Sequence, residues 1–306
     1  MNKSGLITKL YRSSLAVLAA GVAQQAGAFT YSDSDLLLVF RKDGNFNDVE
    51  FNLGSVTNYL NKPAGTKVPV SNWDVNVVKA NYNNSLGNVK FLLASASAVT
   101  DSPRKLWVTS ADLAPATAVT DMAGSRFGAL ASKVSLVGNY ASAGTATNAT
   151  QNYAISQSDA TSYTYIVSGG GAVDPTTVGG LAPFQVENVN PTTLVLYEVK
   201  ISNLNPKPAA TLVGSFCLNP NGDLTFTAGP LAELQQPNIV SLGRSGGTSS
   251  ISFSTQDCVN YRLRYSTDVA SPMAPLSTVI GGDGGSKVLT DTAADQVRFY
   301  QVEAFR

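Results

Sequence analysis

The chain has 306 residues, with 21 Lys and Arg against 21 Asp and Glu, and no histidine. The commonest general base and metal ligand of proteins is therefore absent, and nucleophiles activated by a histidine are excluded. The balanced charge supplies no phosphate-binding patch, so we expect no nucleic-acid partner. A charged fraction of 14% with 26 glycines and short β-branched runs is typical of an all-β extracellular protein.

Residues 1–28 have the pattern of a secretory signal peptide. Three bases precede an apolar run that is too short to span a bilayer, and residues 26–28 are small, as at a cleavage point. We expect cleavage after Ala28 and a secreted, cell-surface protein that begins at Phe29. The mature chain would carry 18 bases against 21 acids. We expect no membrane-spanning segment in it and no covalent anchor, because the chain ends without a hydrophobic tail.

Residues 29–229 are predicted to form a β-rich, sandwich-like domain with one packed helix. A single helical turn is predicted over 55–60, and residues 210–227 predict a hairpin whose turn lies at 219–223. Dense or alternating apolar runs predict further strands at 34–41, 48–53, 73–82, 88–94, 105–109, 162–168 and 193–201.

The helix is predicted over residues 120–140. Its apolar residues recur at spacings of three and four, which places them on one helical face: Phe127, Leu130, Val134 and Val137. Either Thr120 or Asp121 is expected to be the N-cap, and Gly138-Asn139 is expected to end the helix. No other stretch of the mature chain is predicted to be a full helix.

A second module is predicted after a linker at 230–237. Short strands separated by glycine-rich or polar turns are predicted at 238–244, 249–254, 260–266, 277–280, 287–290 and 296–304. Regular short strands of this kind predict a small antiparallel β-sandwich of immunoglobulin or fibronectin-III type over 238–306. The predicted class of the whole chain is therefore mainly β, with two domains.

The chain has two cysteines, Cys217 in the hairpin and Cys258 in the second module. An exported protein meets an oxidising compartment in which such a pair can form a disulfide, and this one would join the two domains. Each cysteine could equally be a small buried apolar residue, so both interpretations stay open.

Several segments resemble a group of exported bacterial proteins of unassigned activity that often end in a PEP-CTERM sorting tail. These are DLLLVFRKDG…DVEFNLGSVTNYL, RFGALASKVSLVGN, SYTYIVSGG and LVGSFCLNPNGDLTFT, in that order. The segment ISFSTQDCVNYRLRYSTD…GDGGSKVLTDTAADQVRFYQVEAF is similar to immunoglobulin-like modules at the ends of surface proteins from Verrucomicrobia-like bacteria. The resemblance implies placement at a cell surface or in a matrix and transfers no catalytic residue.

No motif for nucleotide or zinc binding occurs, so we predict no cofactor and a protein that is not an enzyme. A glycosidase-type carboxylate pair is conceivable at Asp48 and Glu50, or at Glu187 and Glu198, but solvated acids explain these residues as well. Bound Ca²⁺ is a minor alternative to the absence of a cofactor, because side chains with oxygen ligands lie near turns. Turn formation by Asn, Asp and Gly alone also explains why these residues occur there. These are Asp33, Asp35, Asn219, Asn221, Asp223 and Asp283.

The sequence favours a non-catalytic structural subunit that assembles with copies of itself into a filament or surface matrix. Both ends of the mature chain have strand-like patterns, and strand ends can complete a neighbour's sheet. The expected assembly residues are Phe29, Thr30, Tyr31, Phe299, Tyr300, Val302 and Phe305. The alternative is a carbohydrate-binding or adhesive protein with polysaccharide as its partner. Its stacking platforms would be Trp73, Trp107, Tyr163, Tyr165 and Tyr197.

Overall fold

The computed structural model describes residues 29–44, 46–110, 119–145, 152–168, 188–189, 193–219, 222–292 and 297–306. The predicted signal peptide at 1–28 lies outside these residues. The described chain is mainly β, as the sequence predicts, and it also contains three α-helices and one 3₁₀ turn. None of the described helices has both the length and the apolar character to cross a membrane.

The helices, in chain order, are α1 (Val75–Asn81), α2 (Gly124–Thr145) and α3 (Tyr163–Ser168), and the 3₁₀ turn is Val56–Asn58. The strands of the first part are β1 (Asp35–Lys42), β2 (Asn47–Ser55), β3 (Lys67–Pro69), β4 (Val89–Ala96), β5 (Leu106–Ser110), β6 (Asn152–Ser156), β7 (Asn188–Val189), β8 (Thr193–Val199), β9 (Thr211–Leu218) and β10 (Leu224–Ala228). Those of the second part are β11 (Ile239–Ser245), β12 (Thr248–Ser254), β13 (Asn260–Ser266), β14 (Ala274–Pro275), β15 (Ile280–Gly281), β16 (Ser286–Asp291) and β17 (Phe299–Phe305).

Strands β1–β10 form one antiparallel sheet in the order β3-β10-β9-β8-β5-β4-β1-β2-β6, with β7 beside β4. Apolar layers cover both of its faces. Leu36, Leu38 and Phe40 of β1 face the layer that contains α1, whereas Leu37 and Val39 face the layer beneath α2 and α3. A strand buried on both faces must be apolar at consecutive positions, which explains the unbroken run LLLVF.

Two segments predicted to be strands are helices. Residues 73–82 contain α1, where the side chain of Asp74 accepts a hydrogen bond from the Asn76 N–H at 2.7 Å and caps the helix. Val78 and Tyr82, four residues apart, are buried on one side. The alternating valines of this segment match the two-residue period of a strand only by coincidence. The N-cap and the four-residue spacing of the buried side chains make the segment a helix.

Residues 162–168 contain α3 instead of the predicted strand. The Ser162 hydroxyl accepts a hydrogen bond from the Tyr165 N–H at 3.1 Å, which is the arrangement of a serine N-cap. Asp48 of β2 accepts a second one from the Thr164 N–H at 2.6 Å. The Ser162 hydroxyl and the distant Asp48 carboxylate therefore stabilise a helix start, although the residues of SYTYIVS favour a strand.

Helix α2 exists as predicted, but its ends differ. Thr120 and Asp121 are not caps: Thr120 forms a bridge with Ala209, and the Asp121 carboxylate accepts a hydrogen bond from the Lys200 N–H at 2.8 Å. The helix also continues through Gly138-Asn139 to Thr145. Gly138 leaves room for an aromatic ring that packs directly against the helix, and it does not mark the helix end.

The second part is a small antiparallel sandwich, as predicted. One sheet has the order β11-β12-β16, and in the other β13 pairs with β17 on one side and with β14 and β15 on the other. The core between the sheets is small: Ile251, Phe253, Val259, Tyr261, Leu263, Leu289 and Val302. Of the strand predicted at 277–280, only residue 280 is in a strand, β15.

A disulfide joins the two parts. Cys217 of β9 is bonded to Cys258, in the loop between β12 and β13, with 5.7 Å between the Cα atoms. Lys67 of β3 forms an ion pair with Asp257, and the Thr193 hydroxyl lies 3.4 Å from the carbonyl oxygen of Cys258. The contacts therefore converge on the loop around Cys258. The domain boundaries at 229 and 238 remain a prediction.

Candidate functional site

The predicted N-terminal assembly residues are packed against their own domain. Phe29 is buried beneath α2, and the Thr145 hydroxyl lies 3.1 Å from its carbonyl oxygen. The ring of Tyr31 occupies the space where a Cβ on Gly138 would stand. Thr30 is exposed, and its carbonyl oxygen accepts a hydrogen bond from Asn52. Assembly through residues 29–31 stays a prediction, but the rings of Phe29 and Tyr31 already pack on their own domain.

The predicted C-terminal assembly residues lie in β17, which pairs with β13 over its whole length. Val302 stands opposite Leu263, and its side chain is buried between the sheets, with Tyr300 and Ala304 on the same face. Phe299 and Phe305 occupy the outer face. β17 is an edge strand, because no strand among the described residues pairs with its other side.

Strand β11 is exposed along its entire length, although it carries three large apolar residues. Leu242 stands opposite the core residue Ile251, and Ile239 opposite Phe253, so both side chains point to the inner face of the sandwich. They are nevertheless 66% and 48% exposed. The described residues of the second sheet therefore leave these two side chains uncovered.

In an immunoglobulin-type sandwich, the open edge of β17 and the uncovered inner face of β11 would lie on one side. In the immunoglobulin arrangement β11, β12 and β16 correspond to strands A, B and E, and β13 and β17 to C and F, with the seventh strand G beside F. Consistent with this, Arg306 at the end of β17 donates a hydrogen bond to the carbonyl of Ala232, on the approach to β11. Among the described residues no strand takes the G place. We call this region the open side: β17 with the inner face of β11.

The sequence did not indicate the β11 half of this site. The residues missed are Ile239, Val240 and Leu242, which match the pattern of an ordinary strand of the sandwich. The sequence signal for this is that the apolar residues end at Leu242 and are followed by Gly, Arg and Ser. Whether the inner face of a strand is exposed depends on which strand lies opposite it in the other sheet. The sequence of β11 does not contain that information.

The acidic pair Asp48 and Glu50 lies on β2, two residues apart and therefore on one face of the sheet, and both are buried. Asp48 accepts hydrogen bonds from the Thr164 N–H, the Thr164 hydroxyl at 2.9 Å and the Gln157 amide at 3.1 Å. Among the described residues, neither carboxylate oxygen of Glu50 has a partner at hydrogen-bond geometry. The two carboxyl groups thus have different environments within one site.

Burial raises the pKa of Asp48 to about 6, an effect limited by its three hydrogen bonds and by the charge of Arg41. Burial also raises the pKa of Glu50 well above its usual range, the neighbouring Asp48 raises it further, and the backbone of Tyr163 opposes this only weakly. Two adjacent buried carboxylates cannot both ionise cheaply, so this site favours the neutral form of Glu50.

The surroundings of the acidic pair give it a structural rather than a catalytic setting. A cavity of about 20 Å³ lies nearby between β1, β4 and the helices α2 and α3, and its lining is mostly apolar. That volume holds about one water molecule. Glu50 has no access to solvent, so a glycan cannot reach it in this structure. The pair instead fixes α3 to β2 through Asp48.

The second predicted acid pair is not assembled. Glu187 lies outside the described residues, and Glu198 on β8 forms ion pairs with Lys105 at 3.4 Å and Lys200 at 3.5 Å. Of the predicted calcium ligands, Asn221 also lies outside them. The Asp35 carboxylate accepts a hydrogen bond from the Ser32 N–H, and Asp283 forms an ion pair with Lys287. Within the described ranges, no three acidic or cysteine side chains come together as a metal site.

The predicted sugar-stacking rings are not exposed. Trp107, Tyr163 and Tyr197 are buried, and Tyr165 is half-buried. Trp73 packs against the apolar core on the α1 side of the sheet, with its ring 5.7 Å from that of Phe40. These five rings therefore form no continuous platform at the surface.

Comparison of the chain with protein-family models, with curated proteins and with solved structures finds no match in any of the three.

Proposed function

We propose that the protein is a non-catalytic, secreted structural subunit that assembles with copies of itself into an extracellular filament or surface matrix through the open side of its C-terminal sandwich. The observation that carries the proposal is the uncovered inner face of β11, where Leu242 is 66% exposed although it stands opposite a core residue. An exposed edge with apolar side chains is a template for pairing with another chain.

Other features of the molecule support an assembling role. In the described residues of the second part, the exposed large apolar side chains are Ile239, Val240, Leu242, Val269, Val279, Val288, Val297 and Phe299. Soluble monomers usually protect such edges with charge, proline or a covering segment. β11 has one charged residue, Arg244, near its end. We propose the cell surface as the site of this assembly because the sequence resembles exported surface proteins.

A carbohydrate-binding function is the weaker candidate. It needs exposed aromatic platforms, and the five rings expected to supply them are buried or half-buried. A polysaccharide partner is therefore not part of the proposal.

The test uses the chain from Phe29 to Arg306 with its disulfide intact, followed by sedimentation velocity over a range of concentrations and by negative-stain electron microscopy. The variant Leu242→Lys places a charge on the open side, and Val288→Lys places one on the outer face of β16, where Val288 is 57% exposed. We expect the unsubstituted chain and Val288→Lys to associate, and Leu242→Lys to weaken association about tenfold or more.

A chain that sediments as a monomer at every concentration would overturn the proposal. Equal association of the Leu242→Lys and Val288→Lys variants would also count against it, because the open side would then contribute nothing.

A further inference from the structure

We infer that the loop 255–258 and its disulfide form a redox-sensitive joint between the two parts of the molecule. With the bond between Cys217 and Cys258 closed, the C-terminal sandwich is held in one orientation. When a dithiol reductant opens the bond, the sandwich becomes free to turn relative to the first part, while both parts stay folded. The inference goes beyond the proposed function, because it concerns a single chain and holds whether or not copies assemble.

Three contacts bind the loop to strands of the first part. Cys258 is bonded to Cys217 of β9, and Asp257 forms an ion pair with Lys67 of β3. The Thr193 hydroxyl of β8 lies 3.4 Å from the carbonyl oxygen of Cys258 and donates to it. The ion pair is exposed, with 56% of the Lys67 side chain accessible, so water and salt weaken it. The covalent bond is therefore the strongest of the three contacts.

The segment that connects the two parts is held by the same loop. The Gln256 side chain accepts a hydrogen bond from the Gln235 N–H at 2.7 Å and donates one to the carbonyl of Glu233 at 2.8 Å. Earlier in the segment, Leu231 packs against the apolar layer beneath α2. Residues 231–235 therefore form a strap from the first part to the loop. Its two hydrogen bonds are exposed, and water competes for their donors and acceptors.

The two parts share no apolar core among the described residues. The clusters on the two faces of the large sheet take their buried residues from 29–228, whereas the sandwich cluster takes its buried residues from 251–302. Parts of one chain that meet without a large apolar interface normally move relative to each other. Once the disulfide is opened, an exposed ion pair and a few hydrogen bonds are what resists this motion.

The loop belongs to the sandwich, so opening the bond releases it from the first part without dissolving the sandwich. The Thr255 N–H and hydroxyl both donate to the carbonyl of Gly285, at 2.9 and 2.8 Å. The Gln256 N–H donates to the Tyr261 hydroxyl at 2.7 Å. Gly282 lies so close that a Cβ on it would overlap the carbonyl oxygen of Gln256. None of these contacts involves a cysteine.

The chemistry of opening is thiol–disulfide exchange. Cys258 is partly exposed, whereas Cys217 is buried. A thiolate of the dithiol therefore attacks the Cys258 sulfur and displaces the Cys217 thiolate, which takes up a proton. The second thiolate of the dithiol attacks the reductant's own sulfur in the mixed disulfide and displaces the Cys258 thiolate, which is also protonated. Two electrons and two protons pass to the protein, and the dithiol is oxidised to a cyclic disulfide.

Cleavage of the strap by a glutamate-specific protease tests the joint in the chain from Phe29 to Arg306. Glu233 is exposed, but its carbonyl is held by Gln256, so a closed joint resists cleavage after Glu233. We expect reduction with dithiothreitol to speed this cleavage about tenfold or more, because local opening exposes the backbone to the protease. Cleavage after Glu303, in β17 of the sandwich, should keep its initial rate. All products are separated on reducing gels, so that disulfide-linked fragments are counted.

Matched variants assign the effect to the bond. The double variant Cys217→Ser with Cys258→Ser should be cleaved after Glu233 at the rate of the reduced parent chain, with or without dithiothreitol. Gln256→Ala removes both hydrogen bonds to the strap and should speed this cleavage in the oxidised chain by less than reduction does. Gln301→Ala, on the outer face of β17, should leave it unchanged.

Small-angle X-ray scattering of the monomer fraction measures the orientation itself. A sandwich held in one orientation gives one distribution of interatomic distances, whereas a turning sandwich gives a broader distribution with a larger maximum dimension. We expect the broadening in the reduced parent chain and in the double serine variant, but not in the oxidised parent chain.

Each alternative outcome overturns the joint. An unchanged rate of cleavage after Glu233, or unchanged scattering after complete reduction, would show that other contacts hold the sandwich. Equal acceleration of cleavage after Glu303 would show that the disulfide maintains the fold of the sandwich instead of its orientation. An effect of dithiothreitol on the double serine variant would show that the reductant acts elsewhere. Because the monomer is measured, failure of self-assembly would leave the joint standing.

Discussion

At the scale of single residues, Glu50 is the least expected feature of the molecule. It is fully buried, its carboxylate oxygens have no partner at hydrogen-bond geometry among the described residues, and it lies two residues from the buried Asp48. Burial without solvation and the neighbouring Asp48 both raise the pKa of this carboxyl, because they disfavour its charged form. The folded protein therefore holds the proton of Glu50 more tightly than the unfolded chain does.

This proton gives stability a predictable dependence on pH. Both pKa values are raised in the folded state, so the contribution of these two carboxyls to the free energy of unfolding is fully present below their unfolded pKa values and is lost as the pH rises through the folded ones. The fall due to Asp48 should level off above about pH 6, while that due to Glu50 continues. We expect the Glu50→Gln variant to lose less unfolding free energy than the unsubstituted chain between pH 4 and pH 8.

Urea unfolding between pH 4 and pH 8 measures this effect. Asp33→Asn, at an exposed carboxyl, is the control and should leave the slope unchanged. An unaltered slope in Glu50→Gln would show that Glu50 does not carry the extra proton.

At the scale of elements, Phe29 and Tyr31 pack against α2 of their own domain. The ring of Tyr31 lies against the helix where Gly138 leaves room for it. Phe29 enters the same apolar layer. Residues 29 and 31 therefore contribute to the core of their own domain, and the proposed assembly does not use them.

The substitution Gly138→Ala tests this docking. In a helix interior, alanine normally stabilises by up to about 1 kcal/mol relative to glycine. At Gly138 the added Cβ would overlap the Tyr31 ring, so we expect thermal unfolding at a lower temperature than in the unsubstituted chain. The matched control is Gly128→Ala on the same helix, where a Cβ meets no atom within 4 Å and should stabilise. If both variants stabilise alike, Tyr31 does not pack on α2.

At the scale of the whole molecule, the disulfide couples the two parts. Cys217 and Cys258 are 41 residues apart in the sequence, and the loop they close includes β10, the linker and the first strands of the sandwich. The open side lies on other elements, β11 and β17. A fixed junction at one place and an open sheet edge at another are suited to a subunit that must hold a defined orientation within an assembly.

We expect the double variant Cys217→Ser with Cys258→Ser to lose up to about 4 kcal/mol of unfolding free energy, as loop-closure entropy predicts for a loop of this length. Urea unfolding measures the loss. Thiol titration of the denatured, unreduced parent chain is the control and should find no free thiol. A loss below about 1 kcal/mol would contradict a stabilising role for the bond.

Local sequence patterns were sufficient to predict the mainly β class, the hairpin β9–β10, the existence of α2 and the small sandwich at the C-terminus. These patterns are alternation, turn residues and a helical stripe in which Phe127, Leu130 and Val134 recur. They also drew attention to Asp48 and Glu50. They could not show that both are buried on one face of β2, because burial depends on the helices that cover the sheet.

The remaining features depend on contacts between distant parts of the chain. α1 and α3 are helices because caps and a distant carboxylate outweigh the strand propensity of their residues. Phe29 and Tyr31 pack on α2 because that helix, far along the chain, presents a glycine to them. The open side exists because, among the described strands, β17 has a neighbour on one edge only. Each of these is set by which segments meet in space, and no local pattern encodes that.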